Sequence, residues 1–298
     1  MKALPTLRQM QYLLALKETE NFRRAAESCN VTQPTLSAGI QEMESILGIP
    51  VLDRSRKKHV IFTAFGEEVL KTANQIMMPL SNMMDQAQQM AKPLSGPLRL
   101  GAIPTIAPYM LPTLLPYLQK QFPNIDFQIT EDITGNLIEK LHAGAIDMAL
   151  MAFPFDTPKL NQKIFFSEPF HCASPKGTFD KKYQLKLSDI DQHKLLLLED
   201  GHCLRDHALS ACKLQAPEEK KSLSATSLLT LIQMAAQGYG ITLLPDMVLK
   251  QGPLPKNIAL NSFKKPMPTR KIGVAWRQKD PKSNTLNAVI DGMIKTTT

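Results

Sequence analysis

The sequence predicts a mixed α and α/β fold in three parts: a winged helix-turn-helix head, a coiled-coil linker helix and a two-lobed α/β half. Three patterns in the 298 residues carry that prediction. Two amphipathic helices flank a tight turn at Asn30 and Val31 and are followed by a basic tip. A four-three apolar spacing then runs from Val69 to Met90. From Leu98 onward strand-like and helix-like stretches alternate, the pattern of a sheet covered by helices. The expected boundaries are 1–65 for the head, 66–92 for the linker and 93–298 for the rest. Within the last part, lobe I takes 96–168 and 269–298, and lobe II takes 169–268.

In the head, Leu7, Met10, Leu13, Leu14 and Leu16 give Leu4–Glu18 an apolar stripe at helical spacing. Phe22–Cys29 reads as a short helix with Ala25 and Ala26 turned inward, and Cys29 falls on that packed helix. Thr32 is a natural N-cap, and Pro34 suits a first turn where its missing N–H costs nothing. Leu36, Ile40, Met43 and Leu47 form one stripe, which Gly48 ends. Two packed helices joined by such a turn make a helix-turn-helix, whose second helix enters the major groove of duplex DNA. Thr32, Gln33, Thr35 and Ser37 lie at its leading end. Glutamine can read adenine by paired hydrogen bonds, while threonine and serine suit phosphates or base edges. The stretch VLDRSRKKHVIF then reads as two short strands around Arg54, Arg56, Lys57 and Lys58. Alone, these charges would be a solvated turn. Beside a helix-turn-helix they read as a wing against phosphates.

Gly66–Ala91 consists almost wholly of helix formers. Val69, Ala73, Ile76, Leu80 and Met83 begin a seam of about three heptads, which predicts pairing with a second copy as a homodimer. Pro79 predicts a kink. Lys92–Pro97 reads as a hinge.

In the α/β half, LRLGAI, IDFQIT and IDMALMA read as strands with helices between them, Pro104–Phe122 and Thr134–Gly144. This order implies a parallel sheet. A second set follows: EPFHCASP, LLLLED, a helix from Cys203, SLSAT, SLLTLIQMAAQG and ITLLP. Thr269–Arg277 is a long strand before a final helix, and Cys172 is read as a strand residue. Ligands of such sheets bind near the carboxyl ends of strands. Thr105, Thr134 and Cys203 each follow a strand and can face one cleft.

The stretch LLLLEDGHCLRDHALSACKL holds the chemistry. Cys203 falls in a first helical turn, where unpaired backbone N–H groups and the helix dipole favour a thiolate. His202, Arg205 and His207 are expected to add positive charge. In one continuous helix the Cα atoms of Cys203 and Cys212 lie roughly 13 Å apart, whereas a disulfide needs about 7 Å or less. If the two ever join, the helix between them must unwind. On spacing alone, two small core residues remain the simpler reading.

No apolar run is long enough for a membrane span and the N-terminus lacks a signal-peptide pattern, so a cytoplasmic protein without a membrane partner is expected. Its four cysteines should rest there as thiols. No metal-binding spacing, Ser-His-Asp set, carboxylate pair or phosphate loop is present, so neither a cofactor nor an enzyme is expected. The net charge of +8 permits an acidic polymer as partner.

The ungapped stretch FRRAAESCNVTQPTLSAGIQEMESILGIPVLDRSRKKHVIFTAFG resembles the N-terminal domain of LysR-type transcriptional regulators. The resemblance implies a periplasmic-binding-protein-like regulatory domain in the α/β half and pairing of the linker helices. It also implies assembly to a homotetramer on double-stranded promoter DNA, with RNA polymerase as a further partner. LEDGHCLRDHALSAC, AIPTIAPYMLP and SLLTLIQMAAQGYGITLLP narrow it to the hydrogen-peroxide sensors of that family. Carried over by position, Cys203 is the peroxidatic cysteine and Cys212 the resolving one. Thr105, Thr134, His202 and Arg205 then line the peroxide pocket, and the resemblance does not choose between His202 and Arg205 for the leaving hydroxide. It implies activation of oxidative-stress defence genes and reset by glutaredoxin or thioredoxin. The charged stretch KLQAPEEKKSL after Cys212 departs from the pattern. The alternative is a LysR-type regulator that takes a small organic effector between the lobes.

Overall fold

The computed structural model describes residues 3–54, 59–179, 184–190, 194–212, 224–250 and 252–297, with the backbone alone for 86, 88–91, 211 and 212. The chain divides into two compact units, Met1–Ala87 and Gln88–Thr298.

In the first unit, α1 (Leu7–Thr19) starts three residues later than the apolar spacing suggests. The reason is a capping box: the Thr6 hydroxyl accepts from the Gln9 amide, and the Gln9 side chain accepts from the Thr6 amide. Asn21 caps α2 (Phe22–Ser28), and Thr32 caps α3 (Gln33–Leu47), which ends on Gly48 in the left-handed region. Leu13, Leu16, Ala25, Leu36, Ile40 and Met43 close the core between them, and Cys29 packs at its edge. The wing follows as β1 (Leu52–Asp53) antiparallel to β2 (Ile61–Phe62). Its tip, with Arg56, Lys57 and Lys58, lies outside the described residues.

The linker helix α4 (Ala64–Ala91) runs as one helix through Pro79. Gly66 lets it start against the wing, because a Cβ there would lie 2.1 Å from the Val51 carbonyl oxygen. The predicted seam divides along its length. Val69 and the buried Ala73 belong to the head's own packing, Leu80 is half-buried, and Ile76 and Met83 are exposed.

In the second unit, β3 (Gly96–Ala102), α5 (Ala107–Gln121), β4 (Ile125–Glu131), α6 (Thr134–Ala143) and β5 (Met148–Phe153) form the predicted crossovers. β3 lies parallel between β4 and β5. The strand expected only from Glu168 is the second half of β6 (Leu160–Pro175). Beyond it come β7 (Leu197–Leu198), α7 (Cys203–Cys212), β8 (Ser224–Ala225), α8 (Leu228–Ala236), β9 (Thr242–Pro245) and α9 (Asp246–Leu249). The chain ends with β10 (Ile258–Ser262), β11 (Thr269–Arg277) and α10 (Ser283–Thr297). The main sheet has the order β10-β6-β11-β5-β3-β4, with β9 also on β6. β6 is the shared strand: it pairs with β11 over Leu160–Pro169 and with β9 and β10 over Phe170–Pro175.

Two cores flank that strand. One gathers Leu98, Leu100, Leu137, Leu150 and Val274, and the other Phe170, Leu196, Leu231, Leu244 and Phe263. They are called lobe I and lobe II below. At the foot of lobe I, buried Asp147 accepts from the Arg99 amide at 2.8 Å and from Lys282 Nζ at 3.1 Å. A buried charge of this kind is held by pairing. No helix among the described residues is long and apolar enough to cross a membrane.

Candidate functional site around Cys203

The site forms where α7 leaves lobe II and reaches lobe I. Gly201, at φ +90°, turns the chain after β7, a conformation that suits glycine. A side chain there would also crowd Ile133 at 3.1 Å, just before α6. From this turn α7 presents two faces. Leu204 and Ala208 join the core of lobe II, whereas Cys203 joins the core of lobe I. Cys203 is a free thiol with 3% of its surface exposed.

Thr134, the first residue of α6, is equally buried and sits beside the Cys203 sulfur, whose pKa it pulls down. Its hydroxyl oxygen has no well-formed hydrogen bond among the described residues. Thr105 lies in the turn before α5 and is held by Arg270 of β11. Arg270 Nη1 donates to Thr105 Oγ1 at 3.0 Å, and Nη2 donates to the Thr105 carbonyl at 3.2 Å. Because that hydroxyl oxygen accepts from arginine, its own proton remains available for donation. Glu168 on β6 completes the support. It accepts from Arg270 Nε at 2.8 Å and from the Met247 amide at 2.6 Å.

The electrostatics differ from the expectation for a first-turn cysteine. Burial pushes the Cys203 thiol up, against the downward pull of the neighbouring Thr134 hydroxyl and the Arg270 charge. Desolvation is the largest influence on the sulfur, and Cys203 rests as a thiol. His202 and His207 do not add the expected positive charge. Both are buried, and burial lowers the pKa of each. Arg205 is paired with Asp200 at 3.0 Å, and the charges that act on the sulfur are those of Arg270 and Asp206. The cation of the site is thus Arg270, which motif reading passes over. A period-two reading of TRKIGVAWR finds it, since Arg270 shares a strand face with Ile272 and Val274. The same alternation places Glu168 with Phe170 and Cys172.

Cys212 ends α7, and its side chain lies outside the described residues. Its backbone position keeps the predicted roughly 13 Å from Cys203 along an unbroken helix. The charged stretch of residues 213–223 also lies outside. Cys172 is a fully buried strand residue of lobe II.

At the head, Thr32, Gln33 and Thr35 are exposed at the start of α3 and Ser37 is half-buried. The Thr32 and Thr35 hydroxyls lie 2.8 Å apart, so the capping residue is also engaged with its neighbour. Arg54 is less free than a phosphate-binding arginine is expected to be. It donates to Glu44 of α3 at 2.6 Å and ties the wing to the helix.

Residues 7–67 match the family model for the bacterial regulatory helix-turn-helix protein, lysR family, and residues 91–296 match that for the LysR substrate binding domain. The chain belongs to the LysR family. Among curated relatives, the HTH-type transcriptional regulator EstR of Acinetobacter baylyi is 37% identical over 293 residues, covering 98% of this chain and 97% of the relative. The hydrogen peroxide-inducible genes activator of Dickeya chrysanthemi is 37% identical over 276 residues, 92% of this chain and 90% of the relative. Among solved structures, a full-length OxyR variant from Pseudomonas aeruginosa aligns with a TM-score of 0.70 at 32% identity, over 97% of this chain and 98% of that one. The LysR-family head and α/β half therefore stand as expected.

Proposed function

We propose that this protein is a transcriptional regulator that binds promoter DNA through its head and senses hydrogen peroxide through Cys203 and Cys212. One observation carries the sensor reading: a buried hydroxyl, Thr134 Oγ1, lies beside a buried thiol with no well-formed hydrogen bond among the described residues. A small polar ligand that both donates and accepts would satisfy it, and peroxide does both. Thr105, its oxygen engaged by Arg270, offers a second donor.

In this reading the Cys203 sulfur attacks the near peroxide oxygen and the O–O bond breaks. The thiol proton reaches the departing hydroxide, giving cysteine sulfenic acid and one water. Arg270 stabilises negative charge on sulfur and on the departing oxygen. His202, held neutral by burial, donates a hydrogen bond rather than a charge. The Cys212 thiol then displaces the sulfenic oxygen as a second water, leaving a disulfide. Because α7 holds the two cysteines apart, the helix must unwind, and the cost makes the bond easy to reduce by glutaredoxin or thioredoxin. Cys203 leaves the core of lobe I in the process. The change at the lobe surface is passed to the linker-paired homodimer, or a tetramer of two such dimers. That alters how the heads grip DNA and engage RNA polymerase at oxidative-stress genes.

The test is mass spectrometry under non-reducing conditions after one equivalent of peroxide. A loss of two hydrogens on the peptide pair holding Cys203 and Cys212 is expected. An unchanged thiol pair would end the sensor reading. It would leave the alternative, an organic effector between the lobes, for which a hollow of about 230 Å³ lined by Tyr109, Met110, Phe166, Met247 and Lys250 offers space.

For the wing, Arg56→Ala and Lys57→Ala are each expected to weaken every DNA sequence alike. Each should reduce the slope of log affinity against log salt by about 1, as for one lost phosphate contact. Titration of promoter and random duplexes at several salt concentrations checks this. Arg54→Ala should cost the head about 0.2–1 kcal/mol of stability through the lost Glu44 pair.

A further inference from the structure

One side chain of the sensor helix has no part in the peroxide chemistry: His207. It stands one turn beyond Cys203, so the two share the helix face turned to lobe I. Leu204 and Ala208 occupy the adjoining face, about 100° round the helix, in the core of lobe II. His207 Nε2 lies 2.7 Å from the carbonyl oxygen of Pro154, the residue that follows β5 in lobe I. A carbonyl only accepts, so Nε2 carries the ring proton and Nδ1 is a bare lone pair. Nδ1 is buried and has no hydrogen-bond partner among the described residues.

We propose that His207 is the latch of the sensor helix: its bond to Pro154 holds the middle of α7 on lobe I, and this bond must break before Cys212 can reach Cys203. This rests on the disulfide reading above. His207 is four residues after Cys203 and five before Cys212, so unwinding that brings those ends together displaces residue 207. It is a positioning residue, acting on the second step and not on the attack by sulfur.

The unsatisfied Nδ1 makes the latch sensitive to acid. Burial lowers the His207 pKa and the Arg270 charge lowers it further, while the Pro154 carbonyl and Asp206 raise it. These are the facing groups: Arg270 from β11, Asp206 from α7 itself, and an uncharged carbonyl from the end of β5. Protonation would place a second N–H where the described residues offer no acceptor, and against the Arg270 charge. The neutral form is therefore favoured in the latched state, which weakens as pH falls through the range in which histidine protonates.

The test uses full-length protein and hydrogen peroxide, with rapid quenching into dimedone and mass spectrometry to count sulfenic acid and disulfide separately. In His207→Leu the conversion of sulfenic acid to disulfide should be faster by roughly tenfold, the scale of one lost hydrogen bond. The peroxide step should stay within about twofold, because no charge at sulfur changes. His207→Gln keeps an N–H for Pro154 but cannot titrate. It should match the wild type near neutral pH and lack the acceleration the wild type gains, relative to it, on acidification. Wild-type conversion in His207→Leu, or an equal effect on the peroxide step, overturns the latch while leaving the sensor intact. Should His207→Leu not fold, an identical acid response in His207→Gln and wild type overturns it as well. If the wild type forms no disulfide at all, the sensor reading fails and the latch falls with it.

Discussion

Cys203→Ser is expected to abolish peroxide-induced transcription while promoter binding persists. The hydroxyl that replaces the thiol is far less nucleophilic toward peroxide, so no sulfenic acid forms and α7 has no cause to unwind. The exchange preserves shape, and the new hydroxyl can bond the unsatisfied Thr134 oxygen, so the reduced arrangement should be held at least as firmly. Cys212→Ser should stop one step later. Sulfenic acid accumulates on Cys203 and reacts with dimedone, but no disulfide appears and the response is lost or blunted. Cys29→Ser and Cys172→Ala serve as controls, since one lies at the edge of the head core and the other deep in lobe II. Both should retain induction. A reporter assay with all four variants, combined with a gel-shift measurement, checks the set. Full induction in Cys203→Ser would remove this cysteine from the mechanism.

The residues that sequence alone locates well are those whose signals are local. Thr32 and Gly48 mark the ends of α3 because capping and left-handed backbone depend on neighbouring residues only. Thr105, Thr134 and Cys203 are legible for a topological reason, as each follows a strand of an α/β lobe. What local signals cannot carry is partnership across long separations. Arg270 donates to Thr105 across 165 positions and to Glu168 across 102. A charged residue in a strand is ordinarily assigned to the solvent face, and only the apolar neighbours at Ile272 and Val274 betray that this one points inward. The charge of the site is hidden from sequence for a related reason. A histidine beside a cysteine in sequence promises a cation, but whether it holds its proton depends on burial, which the fold decides. Cys203 shows the same conflict: its place in the helix argues for a thiolate, its depth in lobe I for a thiol.

Arg270 should therefore be the residue whose loss is felt most widely. Its guanidinium is fully buried against a Glu168 carboxylate that is 2% exposed. Arg270→Met leaves that carboxylate buried without its cation, and removing one partner of such a pair costs about 3–5 kcal/mol. For a unit of this size the melting temperature should fall by about 10 °C. The Cys203 thiol should also move further up, because the charge that pulled its pKa down is gone and the thiolate loses more than the thiol. The rate of iodoacetamide alkylation against pH then shifts to higher pH. Stability and reactivity separate in the double variant Arg270→Met with Glu168→Gln. The amide no longer needs a cation, so much of the lost stability should return. Thr105 still lacks its donor and the sulfur its nearby charge, so the peroxide rate should stay low. A double variant that regains wild-type reactivity along with its melting temperature would show that Arg270 only braces β11 against β6, and that the charge acting on Cys203 lies elsewhere.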